Sequence, residues 1–187
     1  MVGKIKLVSL EDLVKVSEEK TQHFLCSFLC EKNKQLEVFL HNKSIDHTKR
    51  NMGKTFLLVE SGEDNEEKIL GYFTLLNKVF DFAPNVSNTT RHKITGNRLS
   101  NSFSTILIGN IAKNENAVVG GVHPISGKTL LDIAISKCKT VKQTIGLRIV
   151  AVEYEDNEKL NKFYSEYGFL VIQDNENTGY KIAYIKI

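Results

Sequence analysis

The sequence has 187 residues, 41% of them hydrophobic and 25% charged, with a formal net charge of +3. This length fills one core and is short for two, so a single domain over residues 1–187 is expected. The small net charge does not by itself indicate a nucleic-acid or membrane partner. The sequence contains no run of 18 uncharged apolar residues, so no membrane-spanning helix is expected.

The cysteines and histidines predict no metal site. Cys26, Cys30 and Cys138 are odd in number and lack the spacing of a zinc ribbon or a redox Cys-x-x-Cys motif. This usage favours buried, reduced thiols and a cytoplasmic protein. The five histidines lack metal-ligand spacing, and each is expected to face solvent. The first fifteen residues contain no long apolar segment, so no standard export signal is expected there.

The N-terminal half alternates between strand and helix patterns. Lys4 to Ser9 predicts a strand, and Ser9, with Asp12 three residues later, predicts the N-cap of a helix over 11–20. A second amphipathic helix is expected from Lys34, and it fades in the polar run 47–53. Two β-rich runs, 55–60 and 69–76, are joined by the acidic turn 62–67 and predict an antiparallel hairpin.

The segment from Pro84 to Ser104 is polar and aperiodic, so a functional loop, a short basic helix and local disorder all remain open for it. After it the pattern sharpens again. A long amphipathic helix is expected from Gly127, ended by Gly146. The other expected elements are a strand over 105–112, a strand over 148–153, a helix over 157–167 closed by Gly168, and a hairpin of 169–172 with 180–187. This order predicts an α/β (α+β) fold with a mixed sheet.

The segment Gly121–Thr129 is similar to a phosphate-binding P-loop, but five residues separate its glycines where that loop has four. The extra residue breaks the wrap around one phosphate, which argues against a nucleoside triphosphatase. Backbone amides of Ser126, Gly127, Lys128 and Thr129 would still open a helix whose dipole favours an anion such as a pyrophosphate. An ordinary Ser126 N-cap is the alternative interpretation.

The segment Ile149–Phe169 resembles the last strand, helix and strand of GNAT acetyltransferases. The family shows an asparagine, an apolar helix face, an aromatic-Tyr pair and then Gly-Phe, and the matching residues here are Asn157, Leu160, Phe163, Tyr164, Gly168 and Phe169. Ile108–Lys113 is similar to the family's splayed strand, and Gly127–Leu131 to the end of its pyrophosphate motif. The resemblance covers about residues 105–172. More weakly, residues 36–40, 54–59 and 71–75 resemble the branch that includes bacterial toxins.

The resemblance implies a mostly antiparallel sheet with a splayed central strand pair, flanked by helices. Residues 1–104 would form the acceptor side, 105–172 the coenzyme-binding core and 173–187 the terminal strand. Acetyl-CoA would be the cosubstrate of an N-acetyltransferase acting on an amine. Its pantetheine arm would lie along Ile111, Ala112 and Lys113, and its pyrophosphate at residues 126–129.

The same resemblance assigns roles on the helix over 157–167. Asn157 would orient the coenzyme by a side-chain hydrogen bond. Tyr164 would be the catalytic residue that protonates the departing thiolate, since a phenol with a pKa near ~10 suits a thiolate of similar basicity. Without the resemblance, Tyr164 reads as an aromatic packing beside Phe163 with its hydroxyl at the surface.

The coenzyme loop departs from the family pattern, which is Gln or Arg, two residues, Gly, one residue, and Gly or Ala. Val122, Ile125 and Gly127 stand at those positions, and Gly120 and Gly121 lie upstream of them. A diphosphate could therefore reach the backbone only if the loop turns the Ile125 side chain away.

The sequence identifies neither the general base nor the acceptor. Glu60, Asp81 and Glu153 are not distinguished as bases. Small amines, protein lysines, N-termini and aminoacyl-tRNA are all compatible acceptors, and RNA phosphates could contact the run 43–50 together with Arg91, Lys93 and Arg98. A toxin-like enzyme acting on aminoacyl-tRNA and a catalytically degenerate binding module are the alternatives. A homodimer is also open.

Overall fold

Residues 4–62 and 66–187, which the computed structural model describes, form seven strands and seven α-helices. In chain order these elements are β1 (Lys4–Ser9), α1 (Leu10–Val16), α2 (Glu18–Leu25), α3 (Lys34–Asn42), α4 (Ser44–Lys49), β2 (Lys54–Ser61), β3 (Glu67–Asp81), α5 (Asn88–Thr95), β4 (Ser102–Lys113), α6 (Gly127–Ile145), β5 (Ile149–Tyr154), α7 (Glu158–Tyr167), β6 (Leu170–Asp174) and β7 (Lys181–Lys186).

The strands form one sheet in the order β1-β2-β3-β4-β5-β7-β6. Strands β4 and β5 pair in parallel, while β1–β2, β2–β3, β5–β7 and β6–β7 are antiparallel. This confirms the mixed, mostly antiparallel sheet flanked by helices. Within the described ranges the β4–β5 ladder has three residue pairs and ends at Ile108 and Val152, although β5 continues to Tyr154. Such an early end is what a splayed strand pair requires.

The chain packs as two compact units, and the single-domain organisation stays a prediction. The first unit contains residues 1–75 and 110–134, and the second contains 76–109 and 135–187. Strands β3 and β4 and helix α6 each contribute residues to both.

The first unit packs α1 to α4 around one apolar cluster. Tyr72 is fully buried there, its ring meets Phe28 edge-on at 5.2 Å, and its hydroxyl donates to the Leu36 carbonyl at 2.7 Å. The expected helix over 11–20 is wrong in its bounds, because Ser17 adopts an extended backbone and its hydroxyl accepts a hydrogen bond from the Lys20 amide. One helix therefore ends at Val16 and the next begins at Glu18.

The second unit has its own aromatic cluster, in which Phe82 and Phe103 lie 4.6 Å apart between ring centroids. The open segment 84–104 contains the helix α5. Ser87 caps it by accepting a hydrogen bond from the Thr90 amide at 3.1 Å, and Ile94 is its buried anchor. The predicted α6, α7 and the terminal hairpin are confirmed. In the predicted β2–β3 hairpin the two strands do pair, while residues 63–65 of the turn lie outside the described residues.

Candidate active site

The helix α6 begins at Gly127 with an exposed first turn. Ser126 caps it, since its Oγ accepts a hydrogen bond from the Thr129 amide at 2.9 Å. Lys128 pairs with Asp132 one turn later, at 3.0 Å. The Thr129 amide is thus engaged within the protein, and the positive end of the helix dipole lies at the surface. The Ser126 cap and an anion-binding helix start are compatible in this geometry.

The loop before α6 turns its bulky side chain inward. Ile125 is only 6% exposed, whereas Ser126 is exposed and Gly127 is half-buried, so the Ile125 side chain does not cover the start of the helix. Upstream, Gly120 and Gly121 have φ of +57° and +78° between Val119 and Val122, whose backbones exchange two hydrogen bonds of 3.0 Å. Positive φ at both positions is the geometry of a two-residue hairpin turn. These glycines therefore form the tip of the loop.

The end of β4 is held by a buried asparagine that the sequence analysis missed. Asn114 is 1% exposed; its Oδ1 accepts from the Leu29 amide at 2.8 Å and its Nδ2 donates to the Ile69 carbonyl at 2.7 Å. Directly before it lie the predicted coenzyme-binding residues, of which Ala112 is buried while Ile111 and Lys113 are half-buried. The signal that could have indicated Asn114 is its place in the sequence, as a polar residue directly after the apolar strand β4.

Gly71 on β3 allows this strand end to pack closely. A Cβ atom at Gly71 would lie 2.9 Å from the Ala112 carbonyl oxygen and 3.1 Å from the Leu130 side chain. The first distance is shorter than ordinary contacts and involves backbone, which cannot swing aside. The position of Ala112 therefore depends on the absence of a side chain at residue 71.

Three ring contacts enclose Tyr164 in the second unit. Its ring lies 4.6 Å from Tyr154, 5.1 Å from Phe163 and 5.5 Å from Phe169, and the residue is 5% exposed. Burial, and after it Tyr154, raise the pKa of Tyr164 to about 12. The phenol is therefore held as a protonated group in an apolar surrounding.

Asn157 begins the same helix. Its Oδ1 accepts a hydrogen bond from the Leu160 amide at 2.9 Å, which is an N-cap bond. The side chain itself is exposed. Because α7 starts here, Asn157 fixes where Tyr164 falls, two helical turns further along.

The candidate bases remain undistinguished. The Glu153 carboxylate accepts a hydrogen bond from the Asn175 amide group at 2.6 Å, Glu60 is half-buried on β2, and Asp81 is exposed at the end of β3. None of these arrangements marks a proton acceptor. The base therefore stays unassigned.

A pocket of about 410 Å³ lies in the first unit. Four of its residues come from one face of α3, and its lining consists of Lys34, Gln35, Val38, Phe39, Lys43 and Asn110. Phe39 is held edge-on against His47, with 5.6 Å between ring centroids. The pocket combines an apolar floor with two exposed cations. Apart from the amphipathic pattern of α3, no sequence signal indicated this pocket.

Several residues expected at the surface are engaged. Arg91 donates to the carbonyl oxygens of Val86, Ser100 and Ala83 at 3.1, 2.9 and 3.1 Å and stacks on Phe82. It closes the segment 83–100, so its guanidinium is not displayed for RNA. In the run 43–50, Lys49 pairs with Glu18 and Arg50 with Asp46.

The histidine and cysteine expectations need correction in part. His41, His47 and His123 are half-buried rather than solvent-facing, and Cys26 is exposed whereas Cys30 and Cys138 are buried. Burial raises the pKa of the Cys138 thiol to about 12. Across the described residues no cluster of histidine, cysteine and acidic side chains suits a metal ion, and no helix has the length and apolarity to span a membrane.

Comparison with solved structures identifies the fold. No family model matches the sequence, and no curated protein matches it. AtaT complexed with acetyl-methionyl-tRNAfMet superposes with a TM-score of 0.70 at 20% identity, over 98% of this chain and 95% of that one. A tyrosine-to-phenylalanine variant of KacT gives 0.69 at 19% identity, over 98% and 95%. A further bacterial toxin gives 0.71 at 12% identity, over 100% and 92%. The chain therefore has the GNAT-like fold of these toxins.

Proposed function

We propose that this protein is an acetyl-CoA-dependent acetyltransferase that transfers an acetyl group to a primary amine. The observation that carries the proposal is the exposed first turn of α6, which the buried side chain of Ile125 leaves open to an anion. The fold supports it, because a structure with the same architecture has been solved as the AtaTR complex bound with AcCoA.

The coenzyme would be held by backbone groups of the first unit. A diphosphate suits the start of α6, where the dipole and the Ser126 and Gly127 backbone favour negative charge. The backbone of residues 111–113 would pair with the pantetheine amides as an added strand would. One of these N–H groups would face the thioester oxygen and stabilise the charge that develops there. Bound acetyl-CoA supplies the acetyl group as a thioester.

Tyr164 would donate a proton to the departing thiolate. Its raised pKa keeps the hydroxyl protonated throughout the neutral pH range, so a proton is available for donation. The same shift makes it a weaker acid than a free phenol. Its main action is therefore hydrogen-bond donation to the sulfur as negative charge accumulates, with proton transfer late in the step. Asn157 would act indirectly, because it caps the start of α7 and so fixes the position of Tyr164 on that helix.

The acceptor would enter through the α3 pocket of the first unit. Phe39 and Val38 offer an apolar contact, while Lys34 and Lys43 attract a negatively charged part of the acceptor. Lys34 also pairs with Glu37, so Lys43 is the more available cation. An acceptor with an apolar part, an amine and a nearby phosphate fits this lining better than a simple polyamine does.

Aminoacyl-tRNA is the acceptor that we place first. AtaT was solved with acetyl-methionyl-tRNAfMet, which is an acetylated aminoacyl-tRNA. In the present chain Lys43, Lys93 and Arg98 are exposed and make no ion pair within the described residues. These cations are suited to RNA phosphates. The other acceptor classes remain outcomes of the test below, as does a binding module without catalysis.

The experiment is a thiol-release assay with acetyl-CoA, run with aminoacyl-tRNA, uncharged tRNA and a panel of small amines. We expect release of coenzyme A thiol only with aminoacyl-tRNA, and acetylated product in the same amount. Transfer to small amines alone would identify a small-molecule enzyme. Coenzyme binding without transfer to any amine would indicate a binding module that has lost catalysis. Sedimentation analysis of the same sample would decide between a monomer and a homodimer, and fractionation of cells would test the cytoplasmic location.

A further inference from the structure

Asn110 lies where the two proposed substrate sites meet. It is the β4 residue in the lining of the α3 pocket, and it directly precedes Ile111, the first residue of the backbone assigned to pantetheine. Side chains of a strand alternate between its two faces, so Asn110 and Ala112 lie on the same face. Ala112 belongs to the buried cluster against which Phe39 packs, and Phe39 also lines the pocket. The half-buried Asn110 carboxamide is therefore placed to contact an acceptor that approaches the thioester.

The charge in this pocket is positive. Its lining, within the described residues, includes Lys34 and Lys43 and no acidic side chain. The nearby Glu37 on α3 is 6% exposed, and both of its carboxylate oxygens are occupied: one accepts from the Cys30 amide at 2.9 Å and the other pairs with Lys34. Because this pair partly neutralises Lys34, Lys43 gives the lining its net charge. An ammonium ion would meet a like charge here and no carboxylate that could bind it.

These surroundings favour an amine that has already lost its proton, since a like charge nearby disfavours the charged form of an ionisable group. An α-amino group has a pKa of about 7.7–8.0 and a lysine side chain one of about 10.4, so at pH 7 the neutral fraction of the first is on the order of 10²-fold larger. A pocket that takes the neutral form prefers α-amino groups by this ratio. It also needs no carboxylate base, because the proton is lost to water before the amine enters.

The Asn110 side chain matches the rest of such an acceptor. Its Oδ1 can accept a hydrogen bond from the amine N–H, while its Nδ2 can donate to the carbonyl oxygen beside the α-carbon. A simple alkylamine offers only the first contact. The nitrogen lone pair stays free to attack the thioester carbon, so that the N–C bond forms and the C–S bond breaks. Of the two amine protons, one stays on the new amide and the other balances the proton taken up by the coenzyme sulfur.

We infer that Asn110, together with the charge of Lys43, is a specificity-determining residue that selects the neutral α-amino group of an aminoacyl acceptor. The inference rests on the proposed function in so far as the α3 pocket is assigned to the acceptor. Asn110→Asp is the decisive change, because a carboxylate of the same shape would bind the ammonium form that the wild-type pocket rejects. Asn177→Asp, at an exposed position of the second unit, is the matched control.

The binding test uses NMR titrations without coenzyme. The probes are methioninamide, an α-amino carboxamide with an apolar side chain, and its 2-hydroxy analogue, which has no amine. Affinity of the wild type and of Asn177→Asp for methioninamide should fall about tenfold for each pH unit below the amine pKa, because only the neutral form binds. Affinity of Asn110→Asp should change little over the same range. The hydroxy analogue corrects for titration of the protein itself, including His47, whose ring meets Phe39.

Transfer to aminoacyl-tRNA gives a second readout. In the wild type, kcat should not depend on pH between 6 and 8, since the bound amine is already neutral, while kcat/KM should fall below the amine pKa. In Asn110→Asp, kcat itself should fall with pH, because the amine binds as an ammonium ion. Asn110→Leu should lower kcat/KM about fivefold at every pH, the value of one hydrogen bond, and leave coenzyme affinity unchanged.

The two readouts separate this inference from the proposed function. If the wild type transferred acetyl to no amine, the proposed function would fail, while the methioninamide titrations would still decide the role of Asn110. Absence of methioninamide binding at pH 8, an affinity that does not change with pH, or the same pH dependence in Asn110→Asp as in the wild type would each overturn the inference.

Discussion

The ring of Tyr164 lies against the ring of Tyr154, with 4.6 Å between their centroids, and an apolar shell covers the Tyr164 side chain. Burial is the first cause that raises the pKa of Tyr164 to about 12, and the neighbouring Tyr154 adds to it. The hydroxyl is therefore a proton donor at every physiological pH. Two measurements follow from this one contact.

Tyr164→Phe should lower turnover about 10²- to 10⁴-fold, the usual effect of removing a positioned general acid. Coenzyme affinity should hardly change, because the hydroxyl acts on charge that appears only in the transition state. Steady-state kinetics and titration calorimetry separate the two. Tyr167→Phe is the matched control: Tyr167 is half-buried beside Phe169, with 5.9 Å between ring centroids, and only a slight loss is expected. Equal activity of Tyr164→Phe and wild type would assign the proton to water or to another group.

The raised pKa of Tyr164 also predicts how stability depends on alkaline pH. An acid whose pKa is higher in the folded than in the unfolded protein contributes stability that is complete below pH 10 and is lost as the pH rises toward 12. Denaturant unfolding between pH 9 and 11 should therefore show a smaller decline in Tyr164→Phe than in wild type. Because burial also raises the pKa of Tyr154 and Tyr184, part of the decline should persist. Identical declines would mean that Tyr164 is solvated in solution.

Arg91 should matter for stability rather than for RNA. Arg91→Ala removes three hydrogen bonds to backbone carbonyls and the stacking on Phe82, and should lower the free energy of unfolding by about 2–4 kcal/mol. Arg91→Lys should rescue little, since a lysine cannot reproduce the planar fork. Lys93→Ala, two residues along on the exposed side of α5, is the control and should unfold like wild type. Chemical denaturation measures all three variants.

Binding of tRNA should depend on the exposed cations and not on the paired ones. We expect association to weaken steeply with salt, and Lys93→Ala and Arg98→Ala to lower the slope of log K against log salt by about one each. Lys49→Ala and Arg50→Ala should change it less, because these side chains pair with Glu18 and Asp46. Filter binding across a salt series tests the contrast. A common slope for all four variants would exclude this surface as the RNA contact.

Gly71→Ala should disturb the end of β4 from a distance in sequence. The added methyl group would meet the Ala112 carbonyl at 2.9 Å, and relief of such overpacking costs about 1–3 kcal/mol. Because Ala112 belongs to the proposed pantetheine strand, coenzyme affinity should fall together with stability. Gly62→Ala is the control, since a Cβ there meets its nearest atom at 3.5 Å. Wild-type affinity in a destabilised Gly71→Ala protein would remove residues 111–113 from the coenzyme site.

The sequence was most informative where apolar periodicity and glycine stops coincide. These signals predicted helix α6 with its end at Gly146, helix α7 closed by Gly168, and the terminal hairpin. The GNAT-like fold was implied by the resemblance of residues 149–169 to that family. Helix α5 was left open because Ile94 is the one buried apolar residue within its bounds, so the helix shows no apolar period. Its geometry is imposed by Arg91, whose partners lie up to nine residues away.

The fine structure of the coenzyme loop could not be predicted for a similar reason. His123 was expected to face solvent, yet Asn114 and Ile125 bind both sides of its ring. The residues around His123 in the sequence do not indicate these hydrogen bonds, because the bond to Asn114 forms only when the loop folds back to the end of β4. The inward turn of Ile125, likewise, depends on the core it enters. Residue roles at the proposed site accordingly stay predictions, whereas the fold is confirmed.

The most direct test of the account is a binding and transfer measurement with acetyl-CoA carrying a radiolabelled acetyl group. We expect saturable binding to the wild-type chain, a rise in melting temperature that grows with coenzyme concentration, and transfer of the label to an aminoacyl-tRNA. Absence of binding heat and of thermal stabilisation at millimolar coenzyme, together with no labelled product from any amine, would contradict it.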